Sequence, residues 1–354
     1  MFKKVRYYLS RSFLNLVYYT GAIRIIKFLV NRFRLTGSKE SRLSIPYITK
    51  RERNNIQIYF YHRVNNEQDP FFPGVPNGVF KKQIEYLYEN CKILPLDEAV
   101  HRLKAGEIPD NAIAITFDDG YKDNYQNAFP ILKQYSIPAT IFLATGFLET
   151  GKPLWHDRVF SAFRRTKVQH LYGFKNDGRN FSLRNTDEKR KALTRIIHVL
   201  KYEGESERES TIEELMTRLE VHDTRETKDR MLAWDEIVEM SKSGISFGSH
   251  TVNHPILSRL TVDNIREEMF KSKHEIECQL GISIDTFAYP NGKMDDFNEV
   301  VKTVVKEAGY LCAVTTIYGA NPYGQDPFEL RRMGAWEDRL PEFAWNLNHQ
   351  KFLC

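Results

Sequence analysis

Two adjacent carboxylates after an apolar run could support hydrolysis assisted by a metal ion. Asp118 and Asp119 follow the β-type run 112–117 and precede Gly120. Barrel enzymes place their chemistry at the ends of strands. Because neighbouring residues of a turn point to different sides, one carboxylate can bind a metal ion while the other faces the attacking water. Two acids before a glycine are more often a solvated turn or a helix cap, so this hypothesis needs a second motif.

Two histidines four residues apart supply that second motif. His250 and His254 follow another β-type run, 245–249, so they too are expected where a strand ends. Together with Asp119 they form a set of two histidines and one carboxylate, which leaves a coordination position open for hydrolysis. Two histidines at this spacing are weak evidence for a metal site when they occur alone. The evidence is stronger here because the histidine motif and the two aspartates each follow a predicted strand. The sequence therefore predicts a divalent metal site at Asp119, His250 and His254.

The runs 116–120 and 250–254 resemble the first two motifs of the polysaccharide deacetylase family, also known as the NodB homology domain or carbohydrate esterase family 4. The resemblance covers roughly residues 55–148 and 230–335, and is nearest to the branch acting on exopolysaccharide poly-N-acetylglucosamine. It implies a distorted (β/α) barrel of about seven strands, an acetylated saccharide substrate, Zn²⁺ or a similar ion, and Asp118 as the base. Such an ion lowers the pKa of its bound water from about 15.7 to about 7.

The third family motif, usually Arg-x-Pro-Tyr, has the sequence Ala-Tyr-Pro-Asn at 288–291. The resemblance makes the backbone N–H of Asn291 the candidate oxyanion donor. The positions expected beside the oxyanion or the substrate are Asn291, Pro290, Tyr289 and Arg332. The arginine that normally orients the base is missing, and Arg331 or Arg332 could replace it. Those arginines could equally be a surface pair or a substrate anchor.

His62 is the candidate general acid. It closes the β-type run 56–61 and would therefore point into the same barrel mouth. In the exopolysaccharide branch that this sequence resembles, a histidine near the N-terminal strand supplies the acid. The alternative is a histidine whose hydrogen bonds are satisfied at a strand end.

The elements that must position these residues alternate between β-type and helical patterns, which indicates a parallel α/β barrel over residues 55–340. The predicted strands are 56–61, 112–117, 139–144, 245–248, 285–289 and 310–315, and the predicted helices include 80–89, 125–135, 262–280 and 296–308. Residues 151–230 are rich in charge and lack strand patterns, so they predict a helical insertion. Residues 341–354 form a C-terminal tail of unassigned role.

The positive charge of the chain is concentrated at its N-terminus. Residues 1–53 contain 13 Lys and Arg against two acidic residues, whereas the remainder contains 38 basic and 44 acidic residues. This distribution argues against a nucleic-acid partner and for an arm that meets an anionic surface. Within 1–36, apolar residues recur at helical spacing with cationic residues on the other face, and 37–54 is the linker.

The arm is expected to lie on a membrane surface without crossing it. Its longest uncharged run, 12–23, has 12 residues, well short of the roughly 20 that a spanning helix needs. Two alternatives remain open, namely a helix packed on the body and a secretion signal. The protein is accordingly expected at the cytoplasmic face of a membrane as a peripheral protein, with export to the cell envelope as the alternative.

The sequence thus predicts removal of N-acetyl groups from an amino-sugar saccharide, for instance a lipid-linked or exported capsule, exopolysaccharide or O-antigen. A catalytically idle protein for carbohydrate binding or assembly is the second hypothesis, and the missing motif arginine favours it. An O-acetyl esterase is the third, because it would share the metal chemistry while its specificity would lie in the loops and the insertion.

Overall fold

The computed structural model describes Tyr18 and residues 55–176, 180–221 and 230–349. The predicted arm at 1–36 and linker at 37–54 lie outside this part of the chain, except for Tyr18. The ring centroid of Tyr18 is 6.2 Å from that of Tyr86. Within the described residues, no helix is both long enough and apolar enough to span a bilayer.

The elements follow the alternating order that the sequence predicts. The strands are β1 (Asn55–Tyr61), β2 (Lys92–Ile93), β3 (Ala112–Phe117), β4 (Ala139–Leu143), β5 (His170–Leu171), β6 (Phe181–Ser182), β7 (Ile245–Ser249), β8 (Thr286–Ala288), β9 (Cys312–Tyr318), β10 (Asn321–Pro322) and β11 (Leu330–Gly334). The α-helices are α1 (Asn77–Asn90), α2 (Leu96–Ala105), α3 (Phe129–Gln134), α4 (Trp155–Arg165), α5 (Thr186–Lys201), α6 (Glu205–Arg218), α7 (Trp234–Ser241), α8 (Val262–Leu280), α9 (Glu299–Glu307) and α10 (Leu340–His349).

Seven parallel strands close into a barrel in the order β1, β3, β4, β7, β8, β9 and β11, and β11 pairs with β1 again. The short strands β2 and β10 extend this sheet beside β3 and β1. The predicted barrel of about seven strands is therefore confirmed. Because all seven strands run in one direction, their carboxyl ends form a single rim.

Successive residues of the barrel strands belong to two different apolar cores. In β1, Tyr59 and Tyr61 pack with the surrounding helices, whereas Ile56 and Ile58 pack with α2 and with small residues of other strands. This alternation follows from the period of two of a β-strand. Since both faces are covered, the strands are apolar along most of their length, which is why the sequence pattern predicts them.

Residues 151–176 and 180–221 form an insertion with a core of its own, built from α4, α5 and α6. The predicted helical character is correct for most of this segment. The antiparallel ribbon of β5 and β6 was not predicted, because each of its strands has only two residues. At the other end of the chain, the predicted tail at 341–354 begins within α10, whose Phe343 packs against Tyr59 with ring centroids 5.4 Å apart.

Candidate active site

The Asp118–Asp119 turn is formed by left-handed backbone immediately after β3. Asp119 has φ 75° and Gly120 has φ 81°, a conformation that glycine adopts without the steric cost of a side chain. A Cβ atom at Gly120 would also lie 2.9 Å from Cδ2 of Leu143. The Asp118 backbone N–H donates to the Tyr61 carbonyl over 3.0 Å, so the turn is fixed to the neighbouring strand β1. Both carboxylates are buried at the barrel rim.

The structure brings Asp119, His250 and His254 together in one buried cluster. One potential ligand atom from each of the three lies within 4.8 Å of the others. Asp119 Oδ1 is 3.6 Å from His250 Nε2 and 3.4 Å from His254 Nε2. These separations fit a common ion, since two ligands about 2.1 Å from one tetrahedral ion lie about 3.4 Å apart.

The hydrogen bonds around the cluster also suit a metal ion. His250 Nδ1–H donates to the Ala288 carbonyl over 2.7 Å, which leaves Nε2 without a proton and directed at Asp119, as metal-ligating histidines require. Asp119 Oδ1 is buried, and no group of the described residues donates a hydrogen bond to it. Burial, together with the Asp118 and Asp157 carboxylates, raises the pKa of Asp119 well above its usual range. An adjacent cation would keep this carboxylate ionised at neutral pH.

Helix α8 holds the loop that carries the two histidines. The buried side chain of Glu268 accepts the backbone N–H groups of Val252 and Asn253 over 2.8 and 2.9 Å, and the Asn253 side-chain amide over 2.8 Å. Inside the loop, Thr251 Oγ1 accepts the His254 N–H over 3.0 Å. Glu268 was not predicted as part of the site, because a glutamate on a charged helix carries no distinguishing pattern.

Arg332 pairs with Asp118 through two parallel hydrogen bonds. Its Nη1 and Nη2 donate to the two carboxylate oxygens over 2.7 and 2.8 Å, and its Nε donates to the Thr315 carbonyl over 2.7 Å. Burial alone would raise the pKa of Asp118, but the adjacent guanidinium outweighs it and lowers this pKa to about 2. Arg332 therefore pairs with the carboxylate that the missing motif arginine was expected to orient, whereas Arg331 is exposed.

Two of the residues expected beside the substrate lie in the protein interior instead. Arg332 and Tyr289 have no exposed surface. The Tyr289 ring stacks on Phe297 with centroids 4.4 Å apart, and its hydroxyl donates to the Phe328 carbonyl over 3.0 Å. The expectation of direct substrate contact is therefore corrected for both side chains, because their polar atoms bind protein groups.

The Pro290–Asn291 turn remains at the rim. Pro290 is buried, and its carbonyl accepts the Gly292 N–H over 2.7 Å. Asn291 has φ 60°, and its side chain bonds to Lys201 and Asp296. Within the described residues, the Asn291 backbone N–H donates to no protein acceptor. It is thus available for the predicted oxyanion contact.

His62 lies across from the metal-ligand set and is partly exposed. Its Nε2 is 4.0 Å from the Oδ2 atoms of both Asp118 and Asp119, and 24% of its side chain is accessible. Burial lowers the pKa of His62 to about 4. Its Nδ1 has no hydrogen-bond partner among the described residues. The alternative of a histidine satisfied by hydrogen bonds therefore has no support here.

Aromatic residues that were not predicted as part of the site surround these groups. Trp336 is 53% exposed and stacks on the His62 ring with centroids 5.9 Å apart. On the other side, the His156 ring is 5.3 Å from that of His254, and Tyr121 Oη lies 3.2 Å from His156 Nε2. Trp336 follows Arg332 by only four positions, but the sequence gives no reason to place it over His62.

Together, the parallel barrel and its rim present a buried set of one aspartate and two histidines that could hold a metal ion, beside a carboxylate paired with an arginine. A family model for polysaccharide deacetylases matches residues 105–313, which is more than half of the chain. The chain therefore belongs to the polysaccharide deacetylase family, as the motifs indicated.

Two relatives show how far this similarity extends. The chain is 26% identical over 280 residues to YxkH of Bacillus subtilis, a protein assigned to the polysaccharide deacetylases, and this match covers 78% of the chain and 70% of YxkH. It is 30% identical over 141 residues to a poly-β-1,6-N-acetyl-D-glucosamine N-deacetylase of Staphylococcus aureus. That second match covers 40% of the chain and 48% of the staphylococcal protein, about half of its length.

Solved structures share the fold. The deacetylase PplD of Streptococcus pyogenes, solved with acetate, has a TM-score of 0.57 at 22% identity, over 83% of this chain and 97% of that one. IcaB of Ammonifex degensii has a TM-score of 0.54 at 18% identity, with the same two coverages.

Proposed function

We propose that this protein removes N-acetyl groups from an amino-sugar saccharide by metal-dependent hydrolysis, releasing acetate and leaving an amine. The observation that carries this proposal is the convergence of two sets of residues at one barrel rim. One set is the buried group of Asp119, His250 and His254. The other is Asp118 with its paired Arg332.

The roles of the side chains follow from their positions. A divalent ion at the three ligands, for which we propose Zn²⁺, would lower the pKa of a bound water molecule and polarise the acetyl carbonyl. Asp118, ionised and oriented by Arg332, takes a proton from the attacking water. The Asn291 N–H donates to the developing oxyanion. His62, whose Nε2 lies 4.0 Å from Asp118 Oδ2, receives the proton that Asp118 takes from the water and donates it to the departing amine.

The substrate proposal rests on the family and on the aromatic surface of the rim. The relative from Staphylococcus aureus is an N-deacetylase of poly-β-1,6-N-acetyl-D-glucosamine, and the exposed Trp336 offers an apolar face of the kind that packs on sugar rings. Because Arg332 pairs with Asp118, the missing motif arginine no longer favours a catalytically idle protein. An O-acetyl ester substrate has no specific observation in its favour.

The deciding experiment is acetate release from N-acetylglucosamine oligomers by the full-length protein. We expect release with Zn²⁺, loss after chelation, and recovery when the ion is restored. An Asp118→Asn variant should lose activity by ~10²–10⁴ while it still binds the ion, because the base is removed and the three ligands are kept. Unchanged acetate release after complete chelation would show that the proposed metal dependence is wrong.

The role of His62 is tested separately. We expect His62→Ala to lower turnover by ~10²–10⁴ with its metal content unchanged, because the histidine donates a proton and is not a ligand. His101→Ala, at an exposed position of α2, is the matched control. Near-normal turnover in His62→Ala would exclude His62 as the acid.

A further inference from the structure

A pocket lies between the insertion and the barrel, beside the metal-ligand set. Its volume is about 640 Å³, which is within the range of sites for small molecules. Trp155 of α4 and Arg208 of α6 line it on the side of the insertion, and Asn253 lines it on the side of the barrel. Because Asn253 directly precedes His254 in the chain, this pocket adjoins the candidate active site.

Two ring contacts of His156 show how near the pocket lies to the metal ligands. The His156 ring centroid lies 5.4 Å from that of Trp155 and 5.3 Å from that of His254. The pocket therefore begins one side chain away from the metal ligands. A saccharide whose acetyl group reaches the rim could place a neighbouring unit or substituent in this pocket.

Arg208 is buried in the pocket wall without an acceptor for its guanidinium. It is only 5% exposed, and its guanidinium carbon lies 5.2 Å from the Trp155 ring centroid. Among the described residues, no carboxylate lies within 4.0 Å of its nitrogen atoms and no group accepts a hydrogen bond from its side chain. Burial lowers the pKa of Arg208. A guanidinium that lines a pocket and has no direct protein acceptor offers its N–H donors to a ligand.

The acidic residues of the pocket do not fill that role. Glu209 and Glu213 both pair with Arg158, another lining residue. Glu205 also lines the pocket, and its charge, like those of Glu203, Glu209 and Glu268, acts on Arg208 from a distance; none of the four forms an ion pair with it among the described residues. The pocket thus presents one arginine that is directly paired with carboxylates and one that has acidic residues near it but none in direct contact.

We propose that Arg208 binds an oxyanion carried by the substrate, either the carboxylate of an acidic sugar or a phosphate group, next to the acetylated unit. This inference rests on the proposed deacetylation and narrows its substrate class to anionic saccharides. The planar fork of a guanidinium matches both kinds of oxyanion with two parallel hydrogen bonds. The Trp155 ring lies beside that guanidinium, 5.2 Å from its central carbon.

Binding is measured first, because it does not depend on turnover. Calorimetric titrations of the full-length protein with glucuronate, inorganic phosphate and neutral glucose are made with chelator present, so that a metal ion contributes nothing. We expect at least one anion to bind, glucose not to bind, and Arg208→Gln to weaken anion binding by about 10- to 100-fold. Arg208→Lys keeps the charge without the fork and should show an intermediate loss, and melting curves check that each variant folds.

Arg218→Gln is the matched control for that experiment. It removes an arginine from the same helix, but Arg218 pairs with Glu214 and does not line this pocket. We expect it to bind anions as the unmodified protein does. The proposal is overturned if the unmodified protein binds neither anion, or if folded Arg208→Gln binds them equally well.

Acetate release then identifies the source of the oxyanion. Matched N-acetylglucosamine oligomers are compared, one neutral, one with alternating glucuronic acid and one with phosphate groups. Arg208→Gln should raise KM for an acidic oligomer about tenfold more than for the neutral one, and the oligomer with the larger effect identifies the group. Equal effects on all three would refute the anion site, whereas no acetate from any oligomer would refute the deacetylation and leave the titrations to decide the anion site.

Discussion

The pairing of Arg332 with Asp118 accounts for a site that lacks the arginine expected in its third motif. The two side chains are 214 positions apart in the chain, and the barrel brings them together because β11 and β3 both flank β1. A buried carboxylate without a cation would be driven towards its neutral form, which cannot accept a proton. Arg332 thus positions Asp118 and keeps it ionised.

Removing Arg332 should therefore affect stability as well as turnover. In Arg332→Met, Asp118 is left as an unpaired buried charge, so we expect the free energy of unfolding to fall by about 3–5 kcal/mol. Urea unfolding measures this loss, and acetate release should fall in parallel. Arg331→Met alters the exposed neighbour and should stay within about 0.5 kcal/mol. Equal losses in the two variants would contradict the assignment.

Trp336 is the residue on which we expect a sugar ring of the substrate to stack. Its exposed indole stacks on His62, and a Cβ atom at Gly334 would lie 1.9 Å from the indole Nε1. Trp336→Ala should raise KM for acetylated oligomers about 5- to 30-fold, equivalent to about 1–2 kcal/mol, with a smaller effect on kcat. Tyr88→Ala removes an exposed aromatic of α1 as the control. A fall in kcat at constant KM would instead indicate that Trp336 acts through His62.

At the scale of elements, α8 fixes the histidine loop from outside the barrel. The helix begins after Thr261, whose side chain accepts the Asn264 N–H, and ends at Gly281 with φ 67°. Between these caps, Glu268 faces the loop and binds two of its backbone N–H groups. The positions of His250 and His254 therefore depend on a helix that contributes no ligand.

Glu268→Ala should weaken metal binding while leaving the three proposed ligands in place. Loss of the carboxylate leaves the Val252 and Asn253 N–H groups without their acceptor, so we expect Zn²⁺ affinity to fall by about 10- to 100-fold. Competition titration against a chromogenic chelator measures that affinity. Glu267→Ala, at the adjacent exposed position, should bind the ion normally. Unchanged affinity in Glu268→Ala would mean that the loop holds its shape by itself.

The strands and helices that were predicted correctly are those whose pattern of apolar residues is complete within a short stretch of sequence. Strands such as β3 and β7 are short apolar runs, and α8 has the predicted bounds of 262–280. The strand β11 was missed, because Arg331 and Arg332 interrupt its apolar character. Its burial alternates at this point, so recognition of the strand would have indicated that one of the two arginines faces inward.

At the scale of the whole molecule, the sequence identifies the ligand motifs but not what surrounds them. Asp119, His250 and His254 are recognisable because each follows a strand and parallel strands share one rim. The contacts of Trp336, Glu268 and Arg208 depend on tertiary packing between segments far apart in the chain. No spacing rule predicts that α6 of the insertion lines the same pocket as the histidine loop that follows the barrel strand β7.

The N-terminal arm adds a prediction about where the whole molecule works. Residues 1–36 combine a basic face with apolar residues at helical spacing, and such segments bind anionic bilayers through both features. We propose on this basis that the protein is peripheral at the cytoplasmic face of a membrane, where it meets a lipid-linked saccharide. Deletion of 1–36 should abolish sedimentation with anionic phosphatidylglycerol vesicles while acetate release from soluble oligomers persists.

Charge and apolar contacts can be separated within the arm itself. A variant with Arg24, Lys27 and Arg34 replaced by Gln keeps the apolar residues and should lose most binding to anionic vesicles, since each basic residue near such a surface contributes about 1 kcal/mol. Vesicles of neutral phosphatidylcholine should bind both proteins weakly, and binding of the unmodified protein should fall as salt screens the charges. If the arm-deleted protein sediments with anionic vesicles as the full chain does, the arm has another role, and packing on the body becomes the favoured alternative.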